Sequence, residues 1–597
     1  MEEDKNKRWH RLPKLSFDGQ SFFKRARKAE NVTVRHARRF VFKRMDNMRE
    51  VRRHIITWIV AIGVLIGATG FQLVWYQQNY RTEAPADNGT YAEAVLGPLD
   101  TLNPLFATSS AEQSAGSLLF SRLYEYDTSG HLSGDLALGT KIDDSGKEYT
   151  VTIRTGAFWH DGNEVTARDV VFTVGLLKNS AIRSTITGWN NVTVNIIDER
   201  TVVFSLPAVY AAFEHALTFP ILPEHLLSKV EPNSLRTDVF SSKPTGSGPF
   251  KLSFIQEVDI SSGHKIVHME RNNNYYKGTS KLERFQLDVF DNRDSILHAL
   301  SVAEVNAAND LVASDTSQVN TVRYNVNISP IQSGVYALLN TTRGNLKEAI
   351  IRKALQIGTD TEAIREGLPG GAPALDSPFI SNQLYGDVPK PPAYNPDEAR
   401  KILDDNGWKL DGLARKKDGT ELKLKIVTTK DDDYELVLEN LAGQWRDLGI
   451  SIDTVVLDTS ENAKGLIQNT LQQRDYDILL YQLAIGADPD VYAYWHSSQA
   501  SSRGFNFSNY ANAISDDALA SARSRLESGL RNAKYLTFAR QWISDVPAIG
   551  LYQSTIHYVS NKNVNTFDSS NNLVTSLDRF ADIRYWSVGS KTVFKTP

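Results

Sequence analysis

The sequence predicts an α/β protein of two lobes, carried behind one N-terminal apolar helix, and three stretches carry that reading. Residues 55–76, IITWIVAIGVLIGATGFQLVWY, are apolar throughout and hold no charge; a helix of about 20 such residues crosses the hydrocarbon core of a bilayer. Residues 148–206 alternate apolar and polar positions around one helical run, as half-buried strands do. Residues 394–457 set helix, strand, helix and strand in order. The part after residue 90 is too long for one simple core and suits two or three subdomains.

The apolar helix divides the charge as well as the chain. Residues 1–54 hold 17 Lys+Arg against 7 Asp+Glu, which leaves 49 against 63 of the totals of 66 and 70 for the remainder. Basic residues gather on the cytoplasmic side of a span, so residues 1–54 are expected inside and everything after about residue 77 outside. The basic run Arg35 to Arg53 then rests against anionic headgroups. The exported part is acidic, which disfavours nucleic acid or anionic lipid as its main partner. There is no cysteine, hence no disulfide framework, thiolate metal site, cysteine nucleophile or lipid-bearing cysteine. Ala84-Pro85-Ala86 resembles a small-residue cleavage site, but it follows a segment longer than the roughly 7 to 15 residues of a signal-peptide core. An uncleaved anchor is expected, with a short polar linker at 77–89.

Each later element has a local cause. In EYTVTIR (148–154) Tyr149, Val151 and Ile153 share one face, and TVVFSL (201–206) repeats the pattern. Between them Thr166 and Asp169 open VVFTVGLLK, an acidic residue in the first turn suiting a helix start. In NPDEARKILDDNGW (395–408) Asn395 caps, Pro396 takes the first helical position, Glu398 can reach back, and Gly407 ends the helix. Asp418-Gly419 marks a tight turn before ELKLKIVT, whose Leu422, Leu424 and Ile426 lie on one face. Leu438, Leu441, Ala442, Trp445 and Leu448 then recur at helical spacing, Gly449 caps, and Ile450 to Leu457 reads as a strand. Strand, helix and strand in that order imply a parallel pair with a crossover.

No catalytic constellation emerges. HExxH, the P-loop, GxSxG and a strand-borne GxGxxG are all missing from the sequence. His160-Asp161-Gly162-Asn163-Glu164 is the one cluster with metal-ligand types, and Asp-Gly there reads as a turn. No metal and no cofactor is expected.

Several runs, taken in order, resemble one family. IRTGAFWHDGNEVTARDVVFTV (153–174), PTGSGPF (244–250), LNTTRGNLKEAIIRKALQIGTD (339–360), YNPDEARKILDDNGW (394–408), and ADPDVYAYWHSS (487–498) with NFSNYANAISDDAL (506–519) are similar to the signatures of the family 5 extracellular solute-binding proteins, the peptide- and nickel-type receptors of ABC importers. The resemblance implies a type II periplasmic-binding-protein fold. Lobe 1 would comprise 90–125, 244–330 and 555–597, with an extra α+β subdomain at 126–243, and lobe 2 would comprise 331–554. The two would close on a ligand about hinges at Asn340 and Gly550. For a peptide, main-chain hydrogen bonds and charged groups for the termini are expected. The positions implied are Thr108, Ser109 and Ser110 after the first strand, Ser247 in the glycine loop, Tyr481, Gln482 and Asp488 after YDILLY, and Trp495 as an aromatic wall.

One departure bears on the ligand. Peptide-binding members of the family carry an aspartate shortly before the acidic-proline pair, whereas Leu483-Ala484-Ile485-Gly486 precedes Asp488-Pro489 here. The expected function is a monomeric, non-enzymatic, membrane-anchored receptor that hands peptide to an ABC permease. The alternatives are a sensor signalling through the cytoplasmic tail, and a receptor for another small polar solute. An enzyme on this scaffold would need paired carboxylates facing the cleft, and Asp431 to Asp433 and Asp516-Asp517 read as helix starts instead.

Overall fold

The structure, a computed structural model, describes Arg35 and residues 48–458, 465–567 and 570–594; most of the basic segment expected in the cytoplasm lies outside the described residues. The chain divides into two units, 1–84 with 592–597, and 85–591. In the first, Met48–Tyr80 is one helix of 33 residues. Its segment Arg52–Tyr76 is long and apolar enough to cross a membrane, and none of it is buried. With no proline and no charge between residues 55 and 76, nothing in the sequence interrupts the helical hydrogen bonds.

The second unit is built on a ten-stranded sheet. Two long antiparallel strands, Tyr324–Leu339 and Ala548–Asn561, run through its middle. Beside the first lie Ile478–Ala484, Lys423–Thr429 and Ser451–Leu457; beside the second lie Ala307–Leu311, Thr90–Leu96, Arg284–Phe290, His264–Arg271 and Phe250–Asp259. Lys423–Thr429 and Ser451–Leu457 are the parallel pair that the sequence predicts, joined through the helix Asp432–Asp447. Alternation sorts the strand residues between cores on the two faces: Tyr91 and Val95 join one, Ala92 and Ala94 the other. In the same way Val335, Ala337 and Leu339 face one core of lobe 2 while Tyr336 and Leu338 face the second.

A separate four-stranded antiparallel sheet holds Ala137–Ile142, Glu148–Ile153, Thr201–Ser205 and Thr193–Asp198 in that spatial order. Tyr149, Val151 and Ile153 are buried, as their spacing predicts, and Thr166 with Asp169 forms a capping box on the helix Ala167–Lys178. These residues share one continuous core with Tyr91 and Val95 of lobe 1. The extra sheet is therefore packed as part of lobe 1.

The crossing strands change register between Pro330 and Gly334 and again between Val335 and Tyr336. Gly550, an expected hinge, pairs with Tyr336 at the second break. A side chain there would meet the Leu375 carbonyl at 2.1 Å, so glycine is required for the close approach. Asn340 is placed elsewhere. It lies at the far end of its strand, where its amide donates to the carbonyls of Arg474 and Tyr476 at 3.4 and 3.3 Å and its oxygen accepts from Thr342. That residue pins a strand end, and the register breaks lie several residues before it.

Candidate functional site

Lobe 2 presents one wall through the strand Ile478–Ala484. Tyr481 and Gln482 line a cavity of about 500 Å3, with Leu471, Arg474, Tyr494 and Phe507 among its other walls. Tyr481 meets the Phe507 ring edge-on at 5.8 Å, and Gln482 accepts from the Tyr434 hydroxyl at 3.4 Å. Arg474 lies 4.7 Å over the same Phe507 ring and donates to the carbonyls of Ser501 and Gly504 at 3.0 and 2.9 Å. Burial lowers its guanidinium from the usual range, and its Nε is a buried donor with no protein acceptor. An aromatic cavity with a buried cationic donor suits an apolar side chain that carries a carboxylate or carbonyl near it.

Beyond this strand the loop 485–490 turns toward the extra subdomain. Asp488 Oδ1 lies 2.6 Å from Arg531 Nη2, and Arg531 also donates to the Tyr535 hydroxyl at 3.3 Å. Elsewhere Tyr126 and His215 are joined by a hydrogen bond of 2.9 Å between the phenol oxygen and Nδ1. Burial raises the Tyr126 phenol well above its ordinary value, and the charges of Asp578 and Asp488 add to the shift. Burial pushes the His215 imidazole down, while Asp488 pulls it back up. The field of Asp488 thus reaches both residues of the opposing subdomain.

The crossing strands carry a third set of polar groups that motif reading missed. Gln332, Ser333, Gln553 and Ser554 are all buried where the two lobes meet. Gln553 Nε2 donates to the Ile331 carbonyl at 2.9 Å, while Gln332 Oε1 and Ser554 Oγ make no hydrogen bond within the protein. A buried polar atom without a partner is costly, so such atoms mark places where water or a ligand bonds. The available signal was the adjacent polar pairs Gln332-Ser333 and Gln553-Ser554 in the middle of two long strands.

Other expected positions are spent on packing. Ser109 caps the helix Ser110–Leu119, and the amides of Thr108 and Ser109 both donate to the buried carboxylate of Glu112, at 2.7 and 3.2 Å. Ser110 begins that helix. Ser247 is fully buried, and its carbonyl accepts from the Ser121 hydroxyl at 2.9 Å. Side chains at Gly246 and Gly248 would meet the Leu119 and Leu118 carbonyls at 1.8 and 2.6 Å, so the glycine loop is a backbone packing seam. Trp495, expected as an aromatic wall, is 1 % exposed and packs edge-on against Tyr336 and Trp542, so its ring is engaged within the core. In the His160 to Glu164 cluster, Asp161 pairs with His225 and Glu164 with Arg200, at 2.7 and 2.6 Å. Among the described residues no three metal-ligating side chains converge.

The model of a family described as bacterial extracellular solute-binding proteins, family 5, matches residues 131–505. The oligopeptide-binding protein AppA of Bacillus subtilis (strain 168) is 27 % identical over 500 residues, covering 80 % of this chain and 89 % of the relative. The solved structure of AppA from Bacillus subtilis in complex with a nonapeptide superposes with a TM-score of 0.68 at 23 % identity, over 85 % of this chain and all of that one. NikZ from Campylobacter jejuni in complex with Ni(L-His) gives 0.70 at 23 %, over 83 % of this chain and 99 % of that one.

Proposed function

Because the chain belongs to the bacterial extracellular solute-binding proteins of family 5, we propose that it is a membrane-anchored receptor that captures peptides between its lobes and delivers them to an ABC permease. The observation that carries this reading is the Asp488–Arg531 pair, which keeps spare hydrogen-bond capacity just beyond the strand whose Tyr481 and Gln482 line an aromatic cavity. A paired Asp and Arg can exchange their mutual contact for the ammonium or carboxylate of a peptide end at little net cost in charge burial. Unpaired acceptors on Gln332 and Ser554 suit main-chain amides. Ligand binding then drives closure at the register breaks of the crossing strands. The apolar helix Arg52–Tyr76 supplies the anchor.

A second reading keeps the receptor and changes the solute. No carboxylate stands at Leu483 to Ala487, and Ile485 is buried in the core of lobe 2. A small chelate or another solute without a free amine would need none. Thermal unfolding of the full chain in detergent, against peptides of two to nine residues and against nickel–histidine, separates the two. Binding at 100 times Kd stabilises the native state by about 2.7 kcal/mol. A rise in Tm with peptides supports peptide capture. A rise with the chelate alone transfers the reading to the chelate, and no rise with either removes both.

A further inference from the structure

Arg523 sits where the extra subdomain meets lobe 2, outside the groups that face the proposed ligand. It is the last residue of the helix Ala513–Arg523, and the final carbonyls of a helix have no partner inside it. The Arg523 carbonyl takes one from the other body: the Ala211 amide of the extra subdomain donates to it at 2.9 Å. The side chain makes a second link. Its Nε and Nη2 both donate to Asp490 Oδ2, at 2.9 and 2.7 Å, and its guanidinium carbon lies 4.2 Å from the Tyr492 ring and 4.9 Å from the Tyr210 ring. Asp490 and Tyr492 belong to lobe 2, whereas Tyr210 belongs to the extra subdomain. Burial works against the Arg523 charge, but Asp490 outweighs it and keeps the guanidinium ionised. Tyr210 is braced in turn, its carbonyl accepting from the Tyr149 hydroxyl at 3.0 Å.

The surroundings suit a contact that can part. Cavities of about 500 and 310 Å3 border the seam, the first lined by Trp189, Tyr210 and Phe213 with Arg523, the second by Gly146 and Val209 with Leu526. A permanent interface would be packed to the density of a core. A backbone hydrogen bond, a cation between two rings and the contact of the Tyr210 hydroxyl with Asp490 bridge the gap instead.

From this geometry we infer that Arg523 is a positioning residue, the keystone of a clasp by which the extra subdomain locks onto lobe 2 in the closed receptor. The inference rests on the receptor reading for its purpose, but the clasp can be measured without any ligand. The chain has no cysteine, so spin labels on Asn195→Cys in the extra subdomain and Arg540→Cys in lobe 2, both exposed, report the separation by pulsed electron resonance in the full chain. The labelled parent protein shows one dominant separation, that of this structure. Arg523→Ala lowers that population at least fivefold, Tyr210→Ala lowers it through the opposite body, and Tyr210→Phe, which keeps the ring and loses only the hydroxyl contact with Asp490, lowers it less. The same protein with nonapeptides added then shows faster peptide release in Arg523→Ala. Unaltered distances in both Arg523→Ala and Tyr210→Ala, with circular dichroism showing folded protein, overturn the clasp. Shifted distances with no peptide bound by the parent protein keep the clasp and overturn the peptide reading.

Discussion

Two arginine–carboxylate pairs in this molecule have the same chemistry and opposite surroundings. Glu93 and Arg579 are both 0 % exposed, with Oε1 and Nη2 2.7 Å apart. Tyr558 donates to Glu93 at 2.6 Å, and Arg579 donates to Ser114 Oγ at 2.8 Å and the Ser576 carbonyl at 2.7 Å. That pair ties a lobe 1 strand, a crossing strand and the C-terminal turn Ser576–Phe580 into one network. Asp488 and Arg531 make a single contact of 2.6 Å, retain 12 % and 15 % side-chain exposure, and leave Arg531 Nε without a protein partner. A saturated pair has nothing to offer a ligand, whereas a pair with spare hydrogen-bond capacity where two lobes meet does.

The comparison breaks most sharply at Arg579. Arg579→Leu leaves the Glu93 charge buried and unpaired, which costs about 3 to 5 kcal/mol, and denaturant unfolding is expected to show that loss. Adding Glu93→Leu recovers a large part of it, because the uncompensated charge has gone. A smaller loss comes from Gly246→Ala, whose new methyl meets the Leu119 carbonyl at 1.8 Å and must move backbone. Overpacking of this kind costs about 1 to 3 kcal/mol, read as a shift in denaturation midpoint with peptide affinity unchanged.

That second case also marks how far the sequence reaches. Local rules wrote most of the helix Pro396–Asp405: Asn395 caps by accepting from the Glu398 amide at 3.0 Å, and Gly407 takes a positive φ of 86°, but Glu398 does not reach back, because the Asn395 amide donates instead to the distant Ile357 carbonyl at 2.8 Å. They also wrote the parallel pair around Asp432–Asp447, since a period of two or of 3.6 is a property of neighbouring residues. Tyr481, Gln482 and Asp488 end or follow the motif YDILLY, and the structure places the first two at one cavity and the third against Arg531. Trp495 and Ser247 are buried instead, and their burial is set by distant segments such as Trp542 and Ser121. Arg531, Tyr126 and His215 come from helices and strands far apart in the chain. No local signal joins them.

Asp488→Asn sharpens the contrast at the other pair. Both groups keep a little solvent and asparagine can still accept from Arg531, so the global stability of the protein falls by about 1 to 3 kcal/mol, less than at Arg579. Peptide affinity falls tenfold or more, about 1.4 kcal/mol, if the carboxylate is exchanged for a ligand ammonium. Isothermal titration with a nonapeptide reads the affinity and chemical denaturation reads the stability. A large loss of stability with unchanged affinity would make this pair a second Glu93–Arg579.

The smallest expected effect lies at a charged contact that, unlike those two pairs, joins lobe 1 to lobe 2. Arg293 Nη2 of lobe 1 approaches Asp431 Oδ2 at 3.5 Å, and Ser314 Oγ donates to Asp432 Oδ2 at 3.3 Å. Behind them Asp433 is raised from 3.8 to about 6, first by burial and then by the charges of Asp431 and Asp432, with the Ala313 amide and Arg293 pulling the other way. The folded chain therefore holds this proton more tightly than the unfolded chain does. Its contribution is most favourable below pH 3.8, declines as pH rises to about 6, and is flat above that. Asparagine mimics the protonated acid, so Asp433→Asn should match the parent protein in Tm near pH 4 and exceed it at pH 7. A difference in Tm that stays constant across that range would assign Asp433 the solvated role of an ordinary helix start. A growing difference would show that this interlobe contact is held against a carboxylate it does not fully satisfy, as the Asp488 pair is and the Glu93 pair is not.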